Sequence, residues 1–414
     1  MSRFASASPM AGNLAIHNIL ELIRTNGPLT RAELCHESGY SRSTVSLSCD
    51  TLLKIGIIIE ESLVHSGEVS KRTRLRINGK AGYIIGIELG ATGCEIGISN
   101  LEAELIDFDS SPVDLSHGPD PVIFQINEHI DTLMKKNNVS SELLLGIGMG
   151  LPSSVDYKIG SAIYPAFMPG WHMYPIRQLL QERYRCAVFI DNEVNTMALG
   201  EYYLGKDRKY QNLLFIKAGT GIGAGIVVNG EIYRGENGFA GNIGHINVGG
   251  RTELCMCGKT GCLEAIVGGP AIAERAMHLM NSGTSPILQE IYGKEGQLTA
   301  KEVKLAADRG DSASLSLIRD SGLILGTALG KIIMFFDPSI VIIGGGLAGF
   351  GPYFLSFIRE GILRQSLPWI DPELIIQESS FGDKSGVYGS IILCIDELFT
   401  SGNIYERFKK SAQL

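Results

Sequence analysis

The sequence predicts an α/β protein preceded by a winged helix-turn-helix module. Three observations lead there. A capped helix, turn and helix pattern occupies the first fifty-odd residues and runs into a basic hairpin. Past Asn78-Gly79-Lys80-Ala81-Gly82, a small polar break, the apolar period changes to short strands, glycine turns and helices in alternation. The chain has 414 residues, 44% of them hydrophobic and 51 of them glycine, enough for two or three domains rich in tight turns.

Leu14, Ile16, Ile19, Leu20 and Ile23 recur at helical spacing, and Asn26-Gly27-Pro28 ends that helix. Thr30 caps a second helix, with Glu33 at the capping-box position. Gly39 makes the turn, and Ser41 caps a third helix. In such a module the first residues of the second motif helix reach base edges in the major groove. Here they are Ser41, Arg42, Ser43, Thr44 and Ser46. A strand from Gly56 and a polar tip lead to Lys71-Arg72-Thr73-Arg74-Leu75-Arg76. Alternation puts Arg72, Arg74 and Arg76 on one face, and with Lys71 they suit phosphate contacts. The other reading is a helical protein-interaction module with a solvated basic hairpin.

Charge supports the nucleic-acid reading. Residues 1–80 hold ten Lys/Arg and seven Asp/Glu, a balance of +3; the remainder holds 26 and 37, a balance of −11. The first segment suits an anionic polymer and the rest repels one. No apolar run is long enough to span a bilayer, and the N-terminus lacks a signal-peptide core. The scattered cysteines Cys35, Cys49, Cys94, Cys186 and Cys394 read as reduced thiols of a cytoplasmic protein.

Beyond the break, Tyr83–Ser99 reads as two strands around a glycine turn, and Leu101–Ile106 as a third. A helix near Pro121–Lys136 and a buried strand from Leu143 follow. A strand at Ala187–Ile190 enters Asp191-Asn192-Glu193, and Leu213–Val228 is strand, glycine turn, strand. Helices dominate from Pro270 to Phe336, Ile340 opens another strand with a glycine turn, and 383–399 is a last apolar helix.

Between them lies the densest chemistry. His245 is followed by Cys255-Met256-Cys257-Gly258-Lys259-Thr260-Gly261-Cys262-Leu263-Glu264. Cys3His is a standard tetrahedral set for structural zinc, and Gly258 and Gly261 allow the sharp turns that bring thiolates together. His245, Cys255, Cys257 and Cys262 are the predicted Zn2+ ligands. The competing reading is reduced cysteines buried as small hydrophobes.

Gly-His followed by Cys-x-Cys-Gly-x-x-Gly-Cys-x-Glu resembles the signature of the ROK family (repressors, open reading frames, sugar kinases). The resemblance implies a two-lobed sugar kinase/actin/Hsp70-like fold. It divides the chain into a winged helix-turn-helix domain (1–79), a first lobe (80–195, with a returning C-terminal helix in 383–414) and a second lobe carrying the zinc site (196–382). Gly90-Ala91-Thr92, Gly219–Gly223 and Gly344-Gly345-Gly346 then match two phosphate loops and an adenosine loop. Family kinases carry aspartate in Asp-Leu-Gly-Gly-Thr and in Asn-Asp; this chain has Glu88 and Glu193 there. The longer side chains misplace both carboxylates, and a misplacement of about 1 Å can cost ~100-fold in rate.

The resemblance further implies a sugar site at Asn192, Glu193, Asn242, His245 and Glu264, with Asn242 where the family has glutamate. Together these features predict a sugar-responsive transcriptional regulator, a repressor with its kinase activity lost, binding operator DNA as a homodimer or homotetramer. Two alternatives stand beside it: an active ATP-dependent sugar kinase with an appended DNA-binding domain, and a regulator docking a protein partner through its lobes.

Overall fold

Two helix caps shape the N-terminal head. The computed structural model describes residues 11–65, 68–205, 210–367 and 374–411; the side chains of 11–13 and 63–72 lie outside that description. Helix α1 (Ala11–Asn26) packs on α2 (Arg31–Ser38) and α3 (Arg42–Lys54). Thr30 Oγ1 accepts from the Glu33 amide at 3.2 Å while Glu33 Oε2 accepts from the Thr30 amide at 2.7 Å. This reciprocal box satisfies two otherwise orphaned donors. Gly39 closes α2 in the left-handed region (φ 70°), and Ser41 Oγ accepts from the Thr44 amide. Strands β1 (Ile58–His65) and β2 (Glu68–Ile77) form the antiparallel wing, with Glu61 opposite Arg74 and Ile58 opposite Ile77.

The first lobe is a five-stranded sheet ordered β5-β4-β3-β6-β9: β3 (Tyr83–Leu89), β4 (Gly93–Asn100), β5 (Leu105–Pro112), β6 (Leu144–Leu151) and β9 (Ala187–Asn192). β3 to β5 are antiparallel hairpins; β3, β6 and β9 run parallel. Helices α4 (Pro119–Lys136) and α5 (Ile176–Tyr184) and the short hairpin β7 (Val155–Asp156) and β8 (Ser161–Ala162) complete the lobe. The strand expected over Leu101–Ile106 begins only at Leu105. Leu101 and Ala103 (φ 60°) instead form a buried turn in the same apolar cluster as the head.

Helix α6 (Glu193–Leu204) leads into the second sheet, ordered β12-β11-β10-β13-β14. Its strands are β10 (Leu213–Ala218), β11 (Ile222–Val228), β12 (Glu231–Ile232), β13 (Ile340–Gly344) and β14 (Ile375–Glu378). Helices α7 (Leu263–Val267), α8 (Gly269–Asn281), α9 (Pro286–Glu295), α10 (Ala300–Asp308), α11 (Ser312–Phe336) and α12 (Pro352–Leu363) surround it. The chain then returns to the first lobe through α13 (Ser385–Thr400) and α14 (Asn403–Ser411).

Helix α13 is largely enclosed, with 12 of its 16 residues buried. It lies in a groove made by glycines of β3 and β6: a Cβ on Gly86 or Gly148 would overlap the Val387 or Ser390 carbonyl oxygen. On its other side Gly389 abuts Thr196 of α6. Val387, Ile391, Leu398 and Phe399 of α13 share one apolar cluster with Ile19, Leu20 and Ile23 of α1. The head is therefore continuous with the core of the first lobe. Among the described residues, no helix is long and apolar enough to cross a membrane.

Overpacking a native core costs about 1–3 kcal/mol or more. Gly148→Ala is expected to lower the thermal midpoint clearly. Gly346→Ala, whose added Cβ meets nothing within 4 Å, is expected to leave it unchanged. Parallel thermal melts check both.

Candidate functional site

A cleft of about 740 Å³ lies between the lobes, lined by Gly90–Gly93, by Gly219 and Thr220, and by Gly345 and Gly346. The three glycine turns thus face one space. Glu88 and Lys217 stand among its lining residues. Glu88 is 8% exposed, and its Oε2 has no hydrogen-bond partner among the described residues. Burial, with Glu193 and Glu95 nearby, pushes its carboxyl up to about 8, although Lys217 pulls the other way. Burial and Asp383 push the Glu95 carboxyl up to about 7.

Lys217 was missed by sequence reasoning. It sits at the end of β10, and its Nζ lies 2.5 Å from Glu193 Oε2. Burial opposes the ammonium charge, but Glu193 and Glu88 outweigh it and raise its pKa. Glu193 at the head of α6 is thereby held by a fixed cation from the other lobe. A lysine near the end of an apolar strand reads from sequence as a solvent-facing residue, so only the fold exposes the pairing.

Asn192 is committed on both ends. Its Oδ1 accepts from the Val194 amide at 2.8 Å, capping α6, and its Nδ2 donates to the Ser153 carbonyl at 2.8 Å. Asn242 Nδ2 reaches Ser154 Oγ at 3.2 Å, a contact from the second lobe to the first. A second cross-lobe link, also unforeseen, joins Arg234 Nε to Asp191 Oδ2 at 2.7 Å. The Arg234 guanidinium lies 3.7 Å above the Tyr157 ring, whose hydroxyl donates to Glu397 of α13.

His245, Cys255, Cys257 and Cys262 converge, with their donor atoms within 4.8 Å of one another. Cys257 Sγ to Cys262 Sγ is 3.7 Å, and Cys255 Sγ to His245 Nδ1 is 3.6 Å. A zinc tetrahedron with ordinary bond lengths has S–S edges of about 3.8 Å and S–N edges of about 3.5 Å. The donor set and spacing fit a tetrahedral divalent ion. The segment is braced by the Leu263 amide donating to the Ile246 carbonyl at 2.9 Å. Glu264 follows at the start of α7, and its Oε2 accepts from the Ile222 amide of the second glycine turn at 2.9 Å. Gly244, next to His245, packs on Ile222 and Glu264. Of the five residues expected to hold a sugar, Asn242, His245 and Glu264 lie in or beside this segment, and Asn192 and Glu193 stand where β9 enters α6, bonded to Ser153 and Lys217. The lining of the 740 Å³ cleft is made by other residues.

In the head, Ser41, Ser43 and Thr44 are exposed or partly so, with their hydroxyls bonded to one another at 2.8 and 2.9 Å. Ser46 Oγ accepts from Arg31 Nη1 at 3.1 Å, and Arg42 is exposed. Lys71 and Arg72 lie outside the described side chains. The basic stripe needs correction at its inner end. Arg76 pairs with Glu102 of the first lobe at 2.9 Å and lies 3.8 Å from Glu61. Arg74 lies 3.8 Å from Glu33. The wing's base rests against the first lobe, so Arg76 is spent on tying the two together.

The head is also tied through α1. Arg24 Nη2 bonds Glu21 at 2.6 Å and Asp396 of α13 at 2.9 Å. Asp396 also accepts from Tyr203 at the end of α6, at 3.1 Å. Arg24 lies over the Tyr203 and Phe399 rings at 5.9 and 5.6 Å. α6 thus runs from the Lys217–Glu193 pair, past Met197 in the cleft lining, to the Tyr203–Asp396 contact with the head's Arg24.

Comparison with known proteins agrees with this layout. Residues 84–397 match the sequence model of the ROK family, and residues 15–59 match that of winged helix-turn-helix DNA-binding domains. The xylose repressor of Caldicellulosiruptor bescii is 28% identical over 382 residues, 92% of this chain and 95% of the repressor. A glucokinase of Halalkalibacterium halodurans is 33% identical over 310 residues, 74% of this chain and 93% of the kinase. A solved ROK family transcriptional regulator, homologous to the Escherichia coli MLC protein, has the same fold. Its TM-score is 0.81 at 23% identity, covering 96% of this chain and 99% of that one.

Removing one partner of a buried ion pair strands the other charge, typically at a cost of about 3–5 kcal/mol. Lys217→Met is therefore expected to destabilise the chain strongly. The double variant Lys217→Met/Glu193→Gln should recover most of the loss. Denaturant unfolding of both variants and the wild type measures the difference.

Proposed function

The chain belongs to the ROK family, and on that premise we propose that it is a sugar-responsive transcriptional repressor. The observation that carries the proposal is a DNA-binding head built into the same apolar core as the first of the two lobes that flank the cleft. The functional units are residues 1–79, residues 80–195 with the C-terminal helices, and residues 196–382. The chain acts in the cytoplasm as a homodimer or homotetramer, so that paired heads match paired half-sites of an operator.

The effector is a sugar held between the lobes. Glu193, Asn242, His245 and Glu264 are the side chains proposed to grip its hydroxyls, with Asn192 fixing the start of α6. Carboxylates and amides suit vicinal hydroxyls because each offers two hydrogen-bonding atoms. Two cross-lobe contacts, Asn242 to Ser154 and Arg234 to Asp191, lie where closure would act. Bound sugar changes the lobe angle, and α6 with α13 carries that change to Arg24 in the head. The sugar must bind the released state more tightly than the operator-bound state, or nothing is regulated.

His245, Cys255, Cys257 and Cys262 hold Zn2+ in this reading. Zinc supplies a rigid crosslink, not a reactive centre. It fixes the turn before α7, and with it Glu264, relative to Gly244 and His245. Ser41, Arg42, Ser43, Thr44 and Ser46 on α3, with Lys71, Arg72 and Arg74 on the wing, meet the operator.

Phosphoryl transfer is proposed to be lost. A general base must be presented to the hydroxyl it deprotonates. Glu193 is instead clamped to Lys217, and Glu88 is a buried carboxyl with its pKa raised to about 8. The identity to a glucokinase and the three glycine turns favour the rival reading of an active kinase with a DNA-binding head.

Operator binding by the purified chain, titrated with a panel of monosaccharides and their phosphates, separates the two. Release by one sugar, without sugar-dependent ADP formation, is the expected result; turnover at ordinary enzyme rates, about 1–1000 per second, supports the kinase. Elemental analysis should find one zinc per chain, and Cys257→Ser should lose both the zinc and the sugar response.

A further inference from the structure

Helix α3 shows two faces. Val45, Ser48, Cys49 and Leu52 are buried in the head. Ser43, Leu47, Asp50 and Lys54 are exposed and follow one another at helical spacing along the opposite side. Leu47 is the large apolar residue on that side, 71% exposed. It lies one turn beyond Ser43, on the helix that a helix-turn-helix module inserts into the major groove.

Its polar neighbours are already engaged. Arg31 Nη1 bonds Ser46 Oγ and lies 2.9 Å from Asp50 Oδ1, while its Nη2 reaches Glu60 at 3.3 Å. Ser41, Ser43 and Thr44 share hydroxyl contacts among themselves. Arg31 offsets part of the negative charge of Asp50 and Glu60 beside α3. These contacts hold the surface of α3 in one arrangement, with the leucine methyl groups standing free at its centre. In the major groove the apolar feature offered by a base edge is the thymine 5-methyl group.

We propose that Leu47 is a specificity-determining residue that reads a thymine by covering its 5-methyl group. The inference rests on the DNA-binding reading of the head and goes beyond it by naming a base and the atom recognised. Burying one methyl-sized group corresponds to about a fourfold gain in affinity.

The test uses the full-length chain. Duplexes are selected from a random-sequence pool, and the enriched duplex is remade with deoxyuridine replacing one thymidine at a time. Uracil keeps the base pair and lacks only the methyl group. The expected result is one thymine per bound head at which the replacement weakens wild-type binding about fourfold. Leu47→Ala should bind the unmodified duplex about fourfold more weakly and show no further loss at that position. Leu47→Met, which keeps an apolar reach, should retain the sensitivity. The assignment is overturned if no replacement matters, if the penalty persists in Leu47→Ala, or if the enriched site has no thymine under α3. Failure to enrich any duplex overturns the repressor reading together with it, whereas an enriched duplex indifferent to demethylation overturns the Leu47 assignment alone.

Discussion

The close approach of α6 and α13 is the constraint on which the rest of the structure depends. A Cβ on Gly389 would overlap the Thr196 carbonyl oxygen, and one on Gly200 would lie 3.0 Å from the Gly389 amide nitrogen. Backbones this near leave no room to slide past one another without disrupting a close-packed interior. α6 spans 12 residues, about 18 Å at the usual helical rise. It starts at Glu193, paired with the cleft-lining Lys217, and ends near Tyr203, against Asp396 and Arg24. The pair is therefore a stiff strut between the place where a sugar is proposed to bind and the head that meets DNA.

Lys217 gives the cleft its character. A buried cation between Glu193 and Glu88 neutralises part of a site that otherwise gathers carboxylates from both lobes. The same ion pair ties β10 of the second lobe to α6. One lysine thus does two things together: it engages the Glu193 carboxylate, and it links the two lobes. Arg234 with Asp191 is a second cross-lobe pair, and Tyr157 extends it to Glu397 on α13.

Local chemistry was legible in the sequence because its partners are near in the chain. The capping box at Thr30 and Glu33, the cap at Ser41, the left-handed turn at Gly39 and the His245–Cys262 cluster all stand within a few to seventeen residues of their partners. The changes at Glu88 and Glu193 were visible as chemistry. Their surroundings were not, because Lys217 meets Glu193 only after two sheets have formed. Arg24 and Asp396 lie 372 residues apart, and no periodicity announces such a pair. The strand expected from Leu101 failed for the same reason: its apolar residues serve the contact with the head, so they turn inward before β5 begins. Arg76 read as a phosphate contact until the first lobe supplied Glu102.

The measurement that tests this account most directly is the thermodynamic coupling between the two sites. Affinity for the releasing sugar is measured by calorimetry on free and operator-bound chain, for the wild type and for Asp396→Asn. That substitution leaves Arg24 its bond to Glu21 and removes the charge shared with Tyr203. The account predicts that operator weakens sugar binding in the wild type by the factor by which sugar weakens operator binding, about 5- to 150-fold. In Asp396→Asn each separate affinity should survive while that factor falls toward one. An unchanged factor in the variant would contradict it.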